Sequence, residues 1–341
     1  MPDSPHAGRA GGVVRGGSLQ AASDVEGGPT TPRVRAVVLN YNGAPDTLAC
    51  VASVLGQDYD PLDIVVVDNA SSPSDVAVLQ SGLPQGTLLL RSERNLGFAG
   101  GMNLGARLGE FARPEFVLFL NNDLLLVDRG TTRALVSAAA GDVRRVAVSP
   151  LVAVAEAEVP VEWQVQVRRV PDFWTLLITG SWWLRRLPGL RGRASRFVYR
   201  DHRPYQRGGV YECESINGSC FLVRTDFLEE IGFLDEGTFL YFEELILGWQ
   251  IRDRDRTAAL TAAVHVVHSL GRATKHGGQR IRLAMLKEMV RSEIYYCKKY
   301  LRCGAATVWL LLLARTLDIA SKMAARPLTA VCARRSVGAL P

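Results

Sequence analysis

The chain has little that would stitch, target or anchor it. Its six cysteines, Cys50, Cys213, Cys220, Cys297, Cys303 and Cys332, form no C-x-x-C pair and keep no regular spacing. A disulfide framework is therefore not expected, and a reduced cytosolic setting with ordinary core or surface thiols is. The first residues lack the apolar h-region of a signal peptide. Residues 1–32, rich in Gly, Ala, Ser and Pro and without aromatics or any strand or helix period, read as a disordered tail. The apolar run Ala305–Ala314 is ten residues long, too short to cross a bilayer as a helix. No G-x-G-x-x-G follows the first strand-like segment, which argues against a dinucleotide fold. The first strand-to-helix turn also lacks a basic, glycine-rich triphosphate loop, which disfavours a nucleotidyltransferase. No nucleic-acid-binding motif accompanies the basic residues, so nucleic acid is not an expected partner.

What the chain does have is a core and a lopsided charge. With 341 residues, 48% of them hydrophobic, it can bury one large core or two modest ones. The net charge of +6 is concentrated in two places. Arg168–Arg207 holds ten Arg against two Asp, and Arg272 onward holds fourteen Lys or Arg against three acids, leaving the rest strongly acidic. The first region carries Trp174, Trp182 and Trp183, the second Trp309. Trp with flanking cations suits a segment lying on an anionic membrane surface. A solvated basic face, or a helix buried against the core or another subunit, is also compatible with the pattern.

Four short apolar runs end in polar residues. Arg35–Leu39 ends in Asn40-Tyr41-Asn42-Gly43, and Leu62–Val67 in Asp68-Asn69-Ala70-Ser71-Ser72. Thr87–Leu90 leads to a glycine-rich turn, Asn95-Leu96-Gly97-Phe98-Ala99-Gly100-Gly101-Met102-Asn103, and Phe116–Leu120 ends in Asn121-Asn122-Asp123. Between the first two, Leu48, Val51, Ala52 and Leu55 keep helical spacing. Alternating strands and helices predict a doubly wound, mostly parallel, Rossmann-like α/β sheet whose polar tips gather along one edge. An Asp ending a strand is a turn former or helix cap, or a ligand for Mg²⁺ or Mn²⁺. The glycines would let backbone approach a ligand closely.

The ordered set N-Y-N-G, V-D-N-A-S-S, N-L-G-F-A-G-G-x-N and L-N-N-D resembles the nucleotide-binding half of an inverting GT-A glycosyltransferase of family two. Asn217–Arg224 and Ile231–Glu236 resemble that family's acceptor-side segments, Phe239–Glu244 its catalytic-base segment and His268–Gly271 its late histidine. The resemblance covers Arg33–Thr274 and is closest to the rhamnosyltransferase-like branch. It implies a GT-A catalytic domain over 33–275, with a nucleotide-binding half at 33–125 and an acceptor-binding half at 126–275 that carries the basic insertion 168–207, followed by a basic helical region at 276–341.

The resemblance also implies roles. Leu39, Asn40, Tyr41, Asn42, Asp68, Asn69, Asn95, Gly97, Gly101, Asn103 and Asn122 would hold a nucleoside-diphosphate sugar, with Asp68 on the pyrimidine; Asn95 and Asn103 could instead brace the loop. Asp123 and His268 would bind Mg²⁺ or Mn²⁺, His265 being read as structural. The family's D-x-D is N-N-D in this chain, one carboxylate fewer. Adjacent carboxylates buried beside Tyr241 and Phe242 repel each other, so one is raised toward the range where a general base works well; by resemblance the base is Glu244, with Glu243 binding the acceptor or orienting its neighbour. Acids in a helix's first turn would explain the pair equally well. The expected donor is dTDP-rhamnose or a UDP-sugar. The expected acceptor is a saccharide or lipid-linked glycan of the cell surface, met at the inner face of the cell membrane. A non-catalytic nucleotide-sugar-binding or assembly protein is the alternative that the thinned N-N-D motif suggests.

Overall fold

The computed structural model describes residues 11–14, 31–109, 112–154, 166–195, 197–199, 208–268 and 279–335. Most of the expected tail, Ser269–Gly271, and parts of both basic regions lie outside the described residues. Strands β2 (Val34–Asn40), β3 (Leu62–Asp68), β4 (Thr87–Arg91) and β5 (Phe116–Asn121) run parallel in the order β4-β3-β2-β5. They are buried on both faces, which is why they read as continuous apolar runs. Alternation splits their side chains between two cores. Ala36, Val38, Ile64 and Val66 pack with Cys50, Val51 and Val54 of α1 (Ala44–Leu55) and Leu79 of α2 (Pro73–Gly82). Val37, Val65 and Val67 pack on the other side with Ala99, Met102 and Ala106 of α3 (Gly97–Ala106). At roughly 1.5–3 kcal/mol for each fully buried Val, Leu or Met, these two cores hold the strand tips in register. Arg35, pointing inward from β2, is accommodated because its guanidinium donates to the carbonyls of Ala106 (3.0 Å) and Leu108 (2.8 Å), closing the C-terminal end of α3.

The second half continues the same sheet. It contributes β6 (Leu124–Leu125), α4 (Thr131–Ala140), β7 (Arg145–Val154), β8 (Val210–Cys213), β9 (Cys220–Arg224) and β10 (Thr257–His268). β9 enters antiparallel between β5 and β7, β10 runs parallel to β7, and β6 and β8 pair antiparallel to β10. The basic insertion forms α5 (Phe173–Thr179), a 3₁₀ turn at Leu184–Arg186 and α6 (Arg191–Ser195). Helices α7 (Thr225–Ile231) and α8 (Glu243–Asp253) follow, and the chain continues through α9 (Gln279–Lys299) and α10 (Ala305–Arg335).

One expectation needs correction. The segment read as a disordered tail contributes β1 (Gly11–Val14), which pairs antiparallel with β4, Gly11 facing Arg91 and Val14 facing Leu89. An open sheet edge offers unpaired N–H and C=O groups, and a Val-Val segment suits that position. The apolar run from Ala305, for which a lipid-facing and a buried helix were both open, packs in part on the protein: Val308, Leu311 and Ala314 are buried, the last two in a cluster with Tyr296, Cys297, Leu176 and Leu245. Among the described residues, no helix is long and apolar enough to cross a membrane.

Candidate active site

Strand register sets the polar tips side by side. Asn40 lies across from Asp68, Asp68 from Arg91, and Leu39 from Asn121. β9 runs the other way, so its start reaches the same edge, and Asn121 N donates to the Ser219 carbonyl at 2.9 Å. β10 also ends at this edge: Leu124 pairs with His268, which brings Asp123 beside that histidine.

The first two tips form a closed hydrogen-bond web. Buried Asn40 donates from Nδ2 to Ser71 Oγ (3.0 Å) and Asp75 Oδ2 (2.8 Å) and accepts at Oδ1 from Thr47 Oγ1 (2.8 Å) and Gly43 N (3.2 Å). Asn42 sits at a positive φ of 55°, where Asn is tolerated, and exchanges bonds with Ser71 and Ser72. Tyr41, 52% exposed, is the one aromatic on this loop open to a ligand. Asp68 is fully buried; its carboxylate accepts from Asn40 Nδ2 (3.2 Å), Ser71 N (3.3 Å) and Arg91 Nε (3.4 Å). Arg91, which sequence reasoning did not single out, thus covers the carboxylate expected to meet the pyrimidine.

The glycine loop serves packing more than ligand approach. At Gly97 φ is 75°, and a Cβ would collide with the Phe239 carbonyl, which accepts from Phe98 N at 2.9 Å. A Cβ on Gly101 would collide with Leu39. Asn69 donates to Asn95 Oδ1 and to the Gly97 carbonyl, both at 3.0 Å, and accepts from Leu96 N at 2.8 Å. Asn103, fully buried, donates to the Leu234 carbonyl (2.8 Å) and Glu236 Oε1 (2.8 Å) and accepts from Leu234 N (3.0 Å). Of the two roles open to Asn103, the structure takes the brace, and it does so by tying α3 to the acceptor-side segment. Asn122 turns inward, donating to Thr47 Oγ1 (3.1 Å) and the Gly43 carbonyl (3.3 Å). A Cβ at Gly43 would lie 2.5 Å from Asn122 Nδ2 and displace that amide. Leu39, Asn40, Asn69, Asn103 and Asn122 therefore brace the loops at this edge, while Asp68 lies closed off beneath Arg91 and Tyr41 stands exposed beside them.

Asp123 and His268 converge. Their Oδ1 and Nε2 atoms are 2.9 Å apart and both side chains are largely enclosed. A carboxylate and an imidazole meeting in this way form a donor set that fits a Mg²⁺- or Mn²⁺-class ion. No group of three or more His, Cys, Asp or Glu able to hold a metal occurs among the described residues, so most of such an ion's coordination would come from water and ligand oxygens. His265 instead bonds Asp128, its Nδ1 lying 3.1 Å from Oδ2.

Glu243 and Glu244 open α8. The two preceding residues, Tyr241 and Phe242, have φ of 72° and 75°, a left-handed conformation costly for aromatic side chains. That backbone is held from α9: Ser292 Oγ donates to the Leu240 carbonyl (2.8 Å), and Phe242 packs against Tyr296. Asp235, at the start of the same loop, accepts from Tyr295 (2.9 Å), Lys299 (2.8 Å) and Tyr300. Burial opposes its charge, but these donors hold the carboxyl below its ordinary value. Burial, and then the neighbouring Glu244 charge, push Glu243 up to about 8, and its Oε1 has no hydrogen-bond partner. Burial also raises Glu244, opposed by the charge of Arg168. Gly218 lies against Glu244, and Ser219 touches Asn121, so Glu244 adjoins the N-N-D turn. Arg168 was read only as part of a membrane-seeking region; nothing local in the sequence ties it to Glu244.

Residues 36–232 match the sequence family described as Glycosyl transferase family 2. The N-acetylglucosaminyl-diphospho-decaprenol L-rhamnosyltransferase of Mycobacterium tuberculosis is 25% identical over 70% of this chain and 76% of its own. The low-salt glycan biosynthesis hexosyltransferase Agl10 of Haloferax volcanii is 25% identical over 68% of this chain and 66% of its own. In structure, the mannosyltransferase PcManGT of Pyrobaculum calidifontis, solved with GDP-Man and Mn²⁺, aligns with a TM-score of 0.51 at 20% identity, covering 91% of this chain and 81% of its own.

Proposed function

The chain belongs to glycosyl transferase family 2, and from that premise we propose that it transfers a hexose, rhamnose being the best-supported sugar, from a nucleoside-diphosphate donor to a saccharide or lipid-linked acceptor with inversion. The single observation that carries this reading is the meeting of Asp123 and His268 at the sheet edge, 2.9 Å apart and joined through Asn121, Ser219 and Gly218 to Glu244. The rhamnosyltransferase relative, named for a lipid-linked acceptor, supports the sugar and acceptor class.

On this reading the exposed Tyr41 ring and the Arg91 side chain that covers Asp68 receive the base. Asp123 and His268 would hold Mg²⁺ or Mn²⁺, and a divalent ion bound there would offset the negative charge of a departing diphosphate. Glu244, favoured in its ionised form by Arg168, takes the proton from the acceptor hydroxyl as oxygen attacks the anomeric carbon from the face opposite the diphosphate. Glu243, protonated at neutral pH, offers its O–H to an acceptor oxygen. The test is thermal stabilisation by a panel of nucleotide sugars, dTDP-rhamnose and UDP-sugars among them, with Mn²⁺ and with a chelator. Mn²⁺-dependent stabilisation that Asp123→Ala abolishes supports the assignment; equal stabilisation under both conditions in the native chain overturns the metal role.

A further inference from the structure

Helix α10 buries Val308, Leu311 and Ala314 and also turns two charged residues inward. Arg315 and Asp318 face inward and are buried, Arg315 donating to Glu293 of α9 (2.8 Å), Ser181 Oγ (2.9 Å) and the Leu176 carbonyl (2.9 Å), and Asp318 accepting from Trp182 N (2.6 Å). On the outer face, Trp309 is 71% exposed, Leu313 57% and Leu317 48%. Their i, i+4, i+8 spacing makes one stripe about 12 Å long. A helix facing water places its polar residues outward, so this stripe fits an apolar surrounding.

Exposed cations lie on the segment packed against the inner face of α10 and just ahead of its start. Arg185 and Arg186 belong to the segment that Asp318 and Arg315 tie to α10, and Arg186 stacks over Trp182, its guanidinium 3.7 Å from the ring centroid. Lys298 and Arg302 stand exposed at the α9–α10 corner. Fold contacts therefore join the two basic, Trp-bearing regions that the sequence keeps far apart. We propose that the Trp309–Leu313–Leu317 stripe, together with the exposed cations of the adjoining segments, docks in the plane of an anionic lipid leaflet. The few hundred Å² that such a stripe offers fall short of the roughly 800 Å² per partner of a stable protein interface, and the shared positive charge opposes a second copy. Interfacial lipid binding needs just such a stripe with basic neighbours. The inference rests on the surface alone and not on the transfer chemistry.

The experiment is co-sedimentation of the full chain with vesicles of phosphatidylglycerol and phosphatidylcholine, against phosphatidylcholine alone, over a salt series. Binding to the anionic vesicles that weakens with salt is expected. Leu313→Glu with Leu317→Glu should reduce it by roughly ten-fold or more, and Arg185→Glu with Arg186→Glu by roughly five-fold per side chain. Quenching of native tryptophan fluorescence by brominated lipid tests insertion even if the helix variants fold poorly. Absence of binding at low salt, unchanged binding of the leucine variant, or a native dimer that the leucine variant dissociates would overturn the proposal. Nucleotide-sugar stabilisation of the same proteins is read in parallel: its loss in the native chain counts against the function reading and leaves the lipid result standing.

Discussion

The proposed donor side and the proposed base side of this site are built on opposite principles. Around Asn40, Asp68, Asn69 and Asn122 the polar side chains have close partners, mostly neutral amides, hydroxyls and backbone groups. Around Glu243 and Glu244, two acids share a confined space, one oxygen lacks a partner, and the two residues before them hold unfavourable backbone angles. A site for a large ionic donor gains from a cradle that does not reorganise; a proton-accepting group gains from an environment that keeps its affinity for protons high. On the proposed function, the contrast separates the residues that shape the site from those assigned to act in it.

The sharpest way to break the contrast is at Glu244. Glu244→Gln should lower kcat by roughly 10²-fold or more with donor affinity nearly unchanged, the size of a general-base effect; turnover close to native would sink the assignment. The donor side should fail differently. Asn40→Ala strands Asp75, Ser71 and Thr47 together, so a stability loss of about 2–3 kcal/mol in urea unfolding is expected, with weaker donor binding. A fully stable variant would contradict the cradle role.

Gly97→Ala tests the joint between the two sides. It asks for a left-handed Ala and displaces the Phe239 carbonyl, with an expected cost of about 1–2 kcal/mol. Because that carbonyl belongs to the loop leading to Glu243, kcat should drop further than donor affinity. Equal losses in both would mean that the loop does not transmit the strain.

The last test concerns pH. The folded chain keeps Glu243 protonated up to about pH 8, whereas unfolded it releases the proton near the ordinary 4.5. The folded form binds more protons across that window, so this group's contribution to stability falls as pH rises through it and levels off above about 8. The slope is at most roughly 1.4 kcal/mol per pH unit. Glu243→Gln should flatten the melting temperature across this range, and an unaltered profile would place the proton elsewhere.

The sheet and its active edge were legible because strands buried on both faces must be apolar throughout and can turn polar only where they stop. Val34–Asn40 and Leu62–Asp68 show that boundary directly. The work of the amides was not legible. Asn103 meets Leu234 and Glu236, and Asn122 meets Gly43 and Thr47, partners remote in sequence that only the finished fold brings close. The same holds for Arg168, a charge among many until the fold sets it beside Glu244. Gly97 carried a true signal with a different cause, since the close approach it permits is by Phe239.

The reversed strand β9 also has a bearing on how the protein is made. Leu120 on β5 must wait for Cys220 before its outer edge is covered. As the chain leaves the ribosome, the donor-side strands emerge first, with the rim of β5 bare through the synthesis of α4, β7 and the whole basic insertion. An uncovered rim of Phe, Val and Leu invites pairing with another nascent copy. The strand that completes the catalytic edge is also the one that ends this vulnerability, so truncations or ribosome pauses before Cys220 should be the costliest to the yield of soluble protein.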